Sequence, residues 1–127
     1  MTLTDQQRAS YARDGYVVLP QVLDGAQVAA VAGWVDEVSA WAASGGPGLH
    51  HHEQTDRGPA LARSEDLIGH HEGLRCLLTE GLIPGLAGEL LGEPAVLYKE
   101  KVNHKQPGGA GFAPHQALPP TASSTST

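Results

Sequence analysis

The amino-acid sequence predicts a small α+β fold in which helices come first and a strand follows. Two capping-box patterns, each followed by a glycine stop signal, predict helices in the first third of the chain. Apolar residues between positions 28 and 42 recur at helical spacing, which indicates an amphipathic helix. After Pro94 the residues alternate instead, as they do in a strand. With 127 residues, the chain is long enough for one domain at most.

The first helix is expected over residues 5–14. Thr4 and Gln7 form a capping-box pattern before it, and Gly15 follows as a stop. The next residues, YVVLP at 16–20, are apolar and end in proline, which predicts a short strand.

A second helix is expected to begin after Asp24, whose capping partner is Gln27, and to end at SGGPG, residues 44–48. Its apolar stripe is expected to face the core. The members of that stripe are Val28, Val31, Val35, Val38 and Ala42, with Trp34 and Trp41 beside them.

The middle of the chain predicts a loop and two more helices. Residues 45–60 are rich in glycine and histidine and are interpreted as the loop. Helices are expected over 71–80 and 83–91, with Pro84 near the start of the second and Gly92 at its end.

Residues 95–105, AVLYKEKVNHK, are interpreted as a strand with polar groups on both faces. Such a strand suits a sheet that lines a polar pocket better than one that fills a core. One face carries Val96, Tyr98, Glu100, Val102 and His104, and the other carries Leu97, Lys99, Lys101, Asn103 and Lys105.

The composition excludes several classes of protein. A formal net charge of -6 argues against nucleic acid as a partner, because nucleic-acid-binding domains are usually basic. The single cysteine permits no intrachain disulfide. No apolar run reaches the ~20 residues of a membrane span, and the N-terminus does not resemble a signal peptide. We therefore expect no membrane partner and a cytoplasmic location.

Two motifs suggest ligand chemistry but do not complete it. The histidine run in HHHEQTD, residues 50–56, could bind zinc or nickel, yet it has no cysteine partner and no helical spacing, so a solvated loop is favoured. The stretch PGGAGF, residues 107–112, lacks the Lys-Ser/Thr pair of a phosphate-binding loop and is interpreted as a flexible turn.

The stretches DGYVVLP and IPGLAGELLGEPAVLYKEKVNHKQPGGAGFAPHQ, together with their spacing, resemble the phytanoyl-CoA dioxygenase family. The resemblance runs from about residue 10 to residue 116. It implies an iron(II)- and 2-oxoglutarate-dependent oxygenase that acts on a small-molecule or acyl substrate. It also implies a fold of N-terminal helices followed by a double-stranded β-helix, a cupin-like jelly roll, of which this chain would contain only the first strands.

The same resemblance implies roles for individual residues. His115 matches the first iron ligand of the family, and Gln116 matches the residue between two ligands. Lys101 and Asn103 match positions that face the cosubstrate and substrate, although a solvated edge strand also explains the lysines. The carboxylate ligand of the family is replaced by Ala117. A facial triad needs two histidines and a carboxylate, so this chain is expected neither to hold iron nor to catalyse the reaction.

The sequence thus predicts a family-like domain over residues 1–116 and a disordered tail over 117–127. Relatives tend to continue with Asp-Ala-Pro-Ala-Tyr-Arg-Phe. Removing one base from suitable codons for that peptide gives Ala-Leu-Pro-Pro-Thr-Ala-Ser, which is the sequence of residues 117–123. We therefore interpret the tail as out of frame. The alternative is a non-enzymatic binding or scaffold module with a degenerate site.

Overall fold

The computed structural model describes residues 1–114, which form four helices and a three-stranded antiparallel sheet. This confirms the α+β class. The elements in chain order are α1 (Asp5–Asp14), α2 (Gly25–Ser44), β1 (Leu49–Thr55), β2 (Gly58–Glu65), α3 (Glu72–Thr79), α4 (Leu82–Leu91) and β3 (Lys101–Asn103). The predictions for His115, Gln116 and the tail 117–127 lie outside the described residues.

The caps of the first two helices are confirmed. The Thr4 hydroxyl accepts a hydrogen bond from the Gln7 amide at 3.1 Å, and the Gln7 side chain accepts one from the Thr4 amide at 2.9 Å. Asp24 and Gln27 make the same reciprocal pair before α2. Gly15 ends α1 with φ +81°, a left-handed conformation that favours glycine.

The prediction of an apolar stripe on α2 is only partly correct. Val38 is fully buried, and Trp34 and Trp41 are half-buried against the same core. Val28, at the other end of the stripe, is exposed. The N-terminal half of α2 lines an open groove of about 420 Å³ against α3 and α4 instead of filling a core.

The prediction of a loop over residues 45–60 is wrong, because most of this stretch belongs to a β-hairpin. β1 and β2 pair along their whole length, and a β-bulge interrupts the register between His51 and His52. The Thr55 hydroxyl donates a hydrogen bond to the Gly58 carbonyl at 2.8 Å, which closes the turn. Gly58 has φ +97°, so the turn depends on glycine at that position.

Two predicted strands also differ in the structure. Residues 16–20 are not in a strand, and the strand predicted over 95–105 is reduced to Lys101–Asn103. A strand is defined by its partner, and β3 pairs only with the last three residues of β2. Residues before Lys101 extend past the end of β2 and have no strand to pair with among residues 1–114.

The third and fourth helices are confirmed within one residue. His71 caps α3, since its Nδ1 accepts the Leu74 amide hydrogen bond at 3.1 Å. Gly92 ends α4 in the left-handed conformation, as expected. Gly73 brings α3 close to α2, because a Cβ at this position would lie 2.5 Å from the Trp34 ring.

The core lies between the sheet and the helices α2 and α3. Val38, Leu67 and Leu74 form its buried centre, and Trp34, Trp41 and Val102 pack around them. None of the helices described within residues 1–114 has the length and apolar character needed to cross a membrane.

Candidate functional site on the sheet

Residues of the three strands fall on two faces of the sheet. We call the face that packs on the helices the inner face; it carries His50, Ser64, Val102 and His104. We call the opposite face the outer face; it carries His51, Arg63, Glu65, Lys101 and Asn103. The assignment follows from strand alternation, because Val102 belongs to the core cluster and its two neighbours therefore project the other way.

The two residues predicted to face a cosubstrate, Lys101 and Asn103, are both exposed on the outer face. Asn103 lies opposite Arg63 in the register, and Lys101 lies opposite Glu65. The structure therefore brings each of them next to a charged side chain of β2. Arg63 and Glu65 are missing from the sequence-based site, because their stretch gave no strand signal.

Glu65 is the centre of the charge pattern on the outer face. Its Oε2 lies 3.0 Å from His51 Nε2 and 3.5 Å from Arg63 Nε. Partial burial is the largest single influence and would raise the pKa of Glu65. The charge of Arg63, its ion-pair contact with the carboxylate and the hydrogen bond from His51 together outweigh it, so the net pKa is below its ordinary value. Glu65 is therefore an anion at neutral pH.

Positive charge on the outer face exceeds what Glu65 balances. Lys101 Nζ lies 5.4 Å from the centre of the Phe112 ring, and Lys105 Nζ lies 4.8 Å from the same centre. Both are within the range of a cation–π contact. Arg63 Nε is buried, and its ion pair with Glu65 Oε2 at 3.5 Å is too long for a well-formed hydrogen bond. The face can therefore attract a small anion.

The segment after β3 folds back beside the outer face. The backbone amide of Ala110 donates a hydrogen bond to Glu53 Oε1 at 2.6 Å. Glu53 lies two residues along β1 from His51. The contact places residues 106–112 along one side of the face, where Phe112 meets the two lysines.

The inner face carries a hydrogen-bonded row of polar side chains. His50 Nδ1 lies 2.7 Å from Ser64 Oγ, and Ser64 Oγ lies 3.0 Å from His104 Nε2. Burial, followed by the positive charge of His50, lowers the pKa of His104. The row joins all three strands and has no counterpart in the sequence-based prediction.

The described residues do not fit a metal centre. Within residues 1–114, no three His, Cys, Asp or Glu side chains converge in a way that could hold a metal ion. In the histidine run, His50 and His51 lie on opposite faces of β1, and both nitrogens of His50 are hydrogen-bonded. The zinc or nickel alternative therefore finds no support here. The candidate iron ligand His115 lies outside the described residues.

The groove beside α2 contains the single cysteine, Cys76. A hydrogen bond with Glu80 and then burial raise the pKa of the Cys76 thiol. The thiol is therefore protonated at neutral pH and is a poor nucleophile.

Comparison with known proteins relates the chain to oxygenases. It is 49% identical over 118 residues to a methylphosphonate hydroxylase of Gimesia maris, a match covering 93% of this chain and 45% of the relative. It is 38% identical over 118 residues to a 2-aminoethylphosphonate dioxygenase of an uncultured bacterium, covering 91% of this chain and 45% of the relative. It is 32% identical over 111 residues to the dioxygenase lolE1 of Epichloe uncinata, covering 86% of this chain and 43% of the relative.

All three relatives are hydroxylases or dioxygenases by name. The chain spans less than half the length of each of them. No protein-family model matches the chain, and no solved structure matches it.

Proposed function

We propose that this chain forms the N-terminal part of an iron(II)- and 2-oxoglutarate-dependent oxygenase of the phytanoyl-CoA dioxygenase type, and that the complete enzyme hydroxylates a small phosphonate. The observation that carries the proposal is the 49% identity to a methylphosphonate hydroxylase over 93% of this chain. A second relative is also named for a phosphonate, 2-aminoethylphosphonate, which supports that substrate class.

The exposed surfaces of the chain support a larger barrel. Val96 is 90% exposed and Tyr98 is 72% exposed, and both lie between α4 and β3 in a stretch without regular secondary structure. Tyr16 and Val18, between α1 and α2, are also exposed. Further strands of a jelly roll would cover these side chains, and a second sheet over the outer face would enclose its polar groups.

In the proposed enzyme, the outer face becomes the inner wall of the barrel. Lys101 and Asn103 would face 2-oxoglutarate and the phosphonate, both of which are anions at neutral pH. Arg63 lies opposite Asn103 and adds a third donor to the same wall. Charge-assisted hydrogen bonds from such donors contribute about 1.5–3 kcal/mol each.

The chain by itself is proposed to be inactive. Its described residues offer no metal-binding group, and Ala117 stands where the family has a carboxylate ligand. We therefore expect the 127-residue chain to consume no 2-oxoglutarate in the presence of ferrous ion and methylphosphonate. Turnover by that chain would contradict the proposal.

A chimera tests the proposed activity directly. Residues 1–114 would be joined to the part of the Gimesia maris relative that begins at the position aligned with residue 115 and runs to its C-terminus. We expect the chimera to hydroxylate methylphosphonate and to consume 2-oxoglutarate in equal amount. A chimera that melts cooperatively and binds iron but turns over neither compound would contradict the proposal.

A matched pair of variants in the chimera tests the outer face. Lys101→Ala should raise the KM for 2-oxoglutarate or for the phosphonate about tenfold or more, because it removes a charge-assisted contact. Arg57→Ala removes an exposed positive charge at the tip of the hairpin and should leave both KM values unchanged. Equal effects of the two variants on the KM values would contradict the proposal that Lys101 contacts either anion.

The gene provides an independent test of the tail. Reading the nucleotide sequence past codon 116 in the neighbouring frame should show Asp-Ala-Pro-Ala-Tyr-Arg-Phe or a close variant, followed by a histidine and an arginine. If no such frame exists, the out-of-frame interpretation of residues 117–127 is wrong.

A further inference from the structure

The row of His50, Ser64 and His104 takes one side chain from each strand of the sheet or its direct continuation. Ser64 is 0% exposed and lies on the central strand, so its hydroxyl has no access to water. Its two flanking nitrogens lie 2.7 Å and 3.0 Å away. A buried hydroxyl depends on such partners, since leaving one unpaired costs about 1–3 kcal/mol.

The direction of the hydrogen bonds in the row is fixed from one end. His50 Nε2 lies 2.8 Å from the Pro47 carbonyl, which can only accept, so this nitrogen carries a hydrogen. In neutral His50 the other nitrogen, Nδ1, is then an acceptor, and the Ser64 hydroxyl donates to it. The Ser64 oxygen in turn accepts from His104 Nε2, so His104 also carries its hydrogen on Nε2.

We propose that this row is an acid-sensitive hydrogen-bond network of the sheet. It holds the three strands in register while its two imidazoles together carry at most one proton more than in their neutral forms, and it breaks when a second proton is added. The inference goes beyond the proposed function and does not depend on it. It rests on the directions of the three hydrogen bonds and on the burial of Ser64.

A first proton can be accommodated without breaking the row. If it binds at His104 Nδ1, all three hydrogen bonds keep their direction. If it binds at His50 Nδ1, the Ser64 hydroxyl rotates and donates to His104 Nε2, and the hydrogen of His104 moves to Nδ1. The two contacts of Ser64 then run in the opposite direction, whereas His50 Nε2 still donates to the Pro47 carbonyl.

A second proton has no such arrangement. Both nitrogens that face Ser64 would then carry hydrogens, and the Ser64 hydroxyl would have no acceptor. Two positive charges would also face one another across a single buried oxygen. Like charges this close repel each other, and more strongly when they are partly buried.

Carboxylates on the neighbouring elements are engaged elsewhere. Glu100, which precedes β3, accepts a hydrogen bond from the Leu67 amide at 2.8 Å. On the outer face, Glu65 pairs with His51 and Arg63, and in the helix layer Glu37 pairs with His71 at 2.6 Å. Because these carboxylates are paired elsewhere, the main electrostatic interaction of each histidine in the row is with the other histidine.

The pH range follows from His104. Its pKa is lowered by burial and by the charge of His50, so the unfolded chain binds a proton more readily than the folded chain. The stabilisation is therefore complete above the ordinary histidine pKa of about 6.5 and is lost as the pH falls from there toward the folded-state pKa.

Nitrogen-15 NMR of the imidazole rings in the 127-residue chain tests the proposal without any variant. At pH 8 we expect His50 and His104 both to carry their hydrogen on Nε2. Between pH 8 and pH 5, the folded chain should take up one proton at the pair. Independent titration of both rings near pH 6.5, or a hydrogen on His50 Nδ1 at pH 8, would overturn the proposal.

Two variants give a second readout. His104→Gln keeps a donor for Ser64 but cannot titrate. It should therefore reduce the number of protons taken up on unfolding below pH 6.5 by about one, which lowers the pH dependence of the unfolding equilibrium constant by about tenfold per pH unit. His52→Gln, which replaces an exposed histidine of β1, is the matched control and should leave that dependence unchanged. Equal pH dependence in the parent and in His104→Gln would also overturn the proposal.

Discussion

The two faces of the sheet carry polar groups for opposite purposes. On the inner face, two histidines hydrogen-bond to the buried hydroxyl of Ser64. On the outer face, Lys101 is exposed and Arg63 makes only a long ion-pair contact with Glu65, at 3.5 Å. The difference indicates that the inner face holds the strands together and that the outer face is available to a ligand.

The largest effect on stability should come from the core beneath the inner face. Leu67 is 1% exposed and lies at the centre of the buried cluster. Leu67→Ala should lower the free energy of unfolding by about 2–5 kcal/mol, measured by urea denaturation. Val96→Ala removes an exposed apolar side chain and should change it by less than about 0.5 kcal/mol. Equal effects would mean that the inner face does not carry the stability.

The next effect should come from the contact of α3 with α2. In Gly73→Ala the new methyl group would lie 2.5 Å from the Trp34 ring, and overpacking of this kind costs about 1–3 kcal/mol. Gly33→Ala is the matched control, because a Cβ at that helical position meets nothing within 4 Å. That variant should gain about 0.5–1 kcal/mol from helix propensity. Thermal melts of both variants check the contrast.

A smaller and pH-dependent effect is expected on the outer face. The pKa of Glu65 is lowered in the folded state, so its ionised form stabilises the fold above the ordinary carboxyl pKa. That contribution is lost as the pH falls through the folded-state pKa. Glu65→Gln should therefore lower the urea midpoint at pH 7 relative to the parent, and the difference should shrink in acid.

Glu93→Gln provides the control for Glu65→Gln. Glu93 is exposed in the connection that follows α4, and its substitution removes the same single negative charge. It should leave the urea midpoint near that of the parent at both pH values. If the two variants behave alike, the effect at Glu65 is one of net charge and not of its pairing with His51 and Arg63.

The smallest effect on stability is expected for the residues that are available to a ligand. Lys101→Ala and Asn103→Ala should each change the free energy of unfolding by no more than about 0.5 kcal/mol, since both side chains are exposed. Circular dichroism during urea denaturation measures this. A loss of several kcal/mol from either variant would show that the outer face is structural.

The parts of the fold that depend on local chemistry could be predicted from the sequence. Thr4, Asp24 and the glycines that end α1 and α4 act through neighbours within one or two turns, and the structure confirms each of them. Alternation also predicted correctly that Val102 and its two neighbours project to opposite sides. These signals need no knowledge of the rest of the chain.

The hairpin and the length of β3 could not be predicted in this way. β1 reads LHHHEQT and has no β-branched residue before Thr55, so its pairing with β2 gave no pattern of propensity. The sequence did contain one usable signal, the turn glycine Gly58 after Asp56 and Arg57. β3 is short because β2 ends at Glu65, which is information that residues 95–105 do not contain.

The same difference extends to the candidate site. Lys101 and Asn103 could be named as candidates because they lie in a stretch with a visible period and a family resemblance; their role stays a prediction. Arg63 and Glu65 were missed because they come from a hairpin partner 36 or more residues away in the chain. A site assembled across strands needs the register, and the register is a property of the folded sheet.

The tight turn of the β1–β2 hairpin has a consequence for the order of folding. Thr55 and Gly58 pair across two residues, whereas Arg63 must find Asn103 across forty positions of the chain. Closing the longer loop costs more chain entropy, so we expect the hairpin to form before β3 pairs with β2. Amide protons that bridge β2 and β3 should accordingly become protected last during refolding.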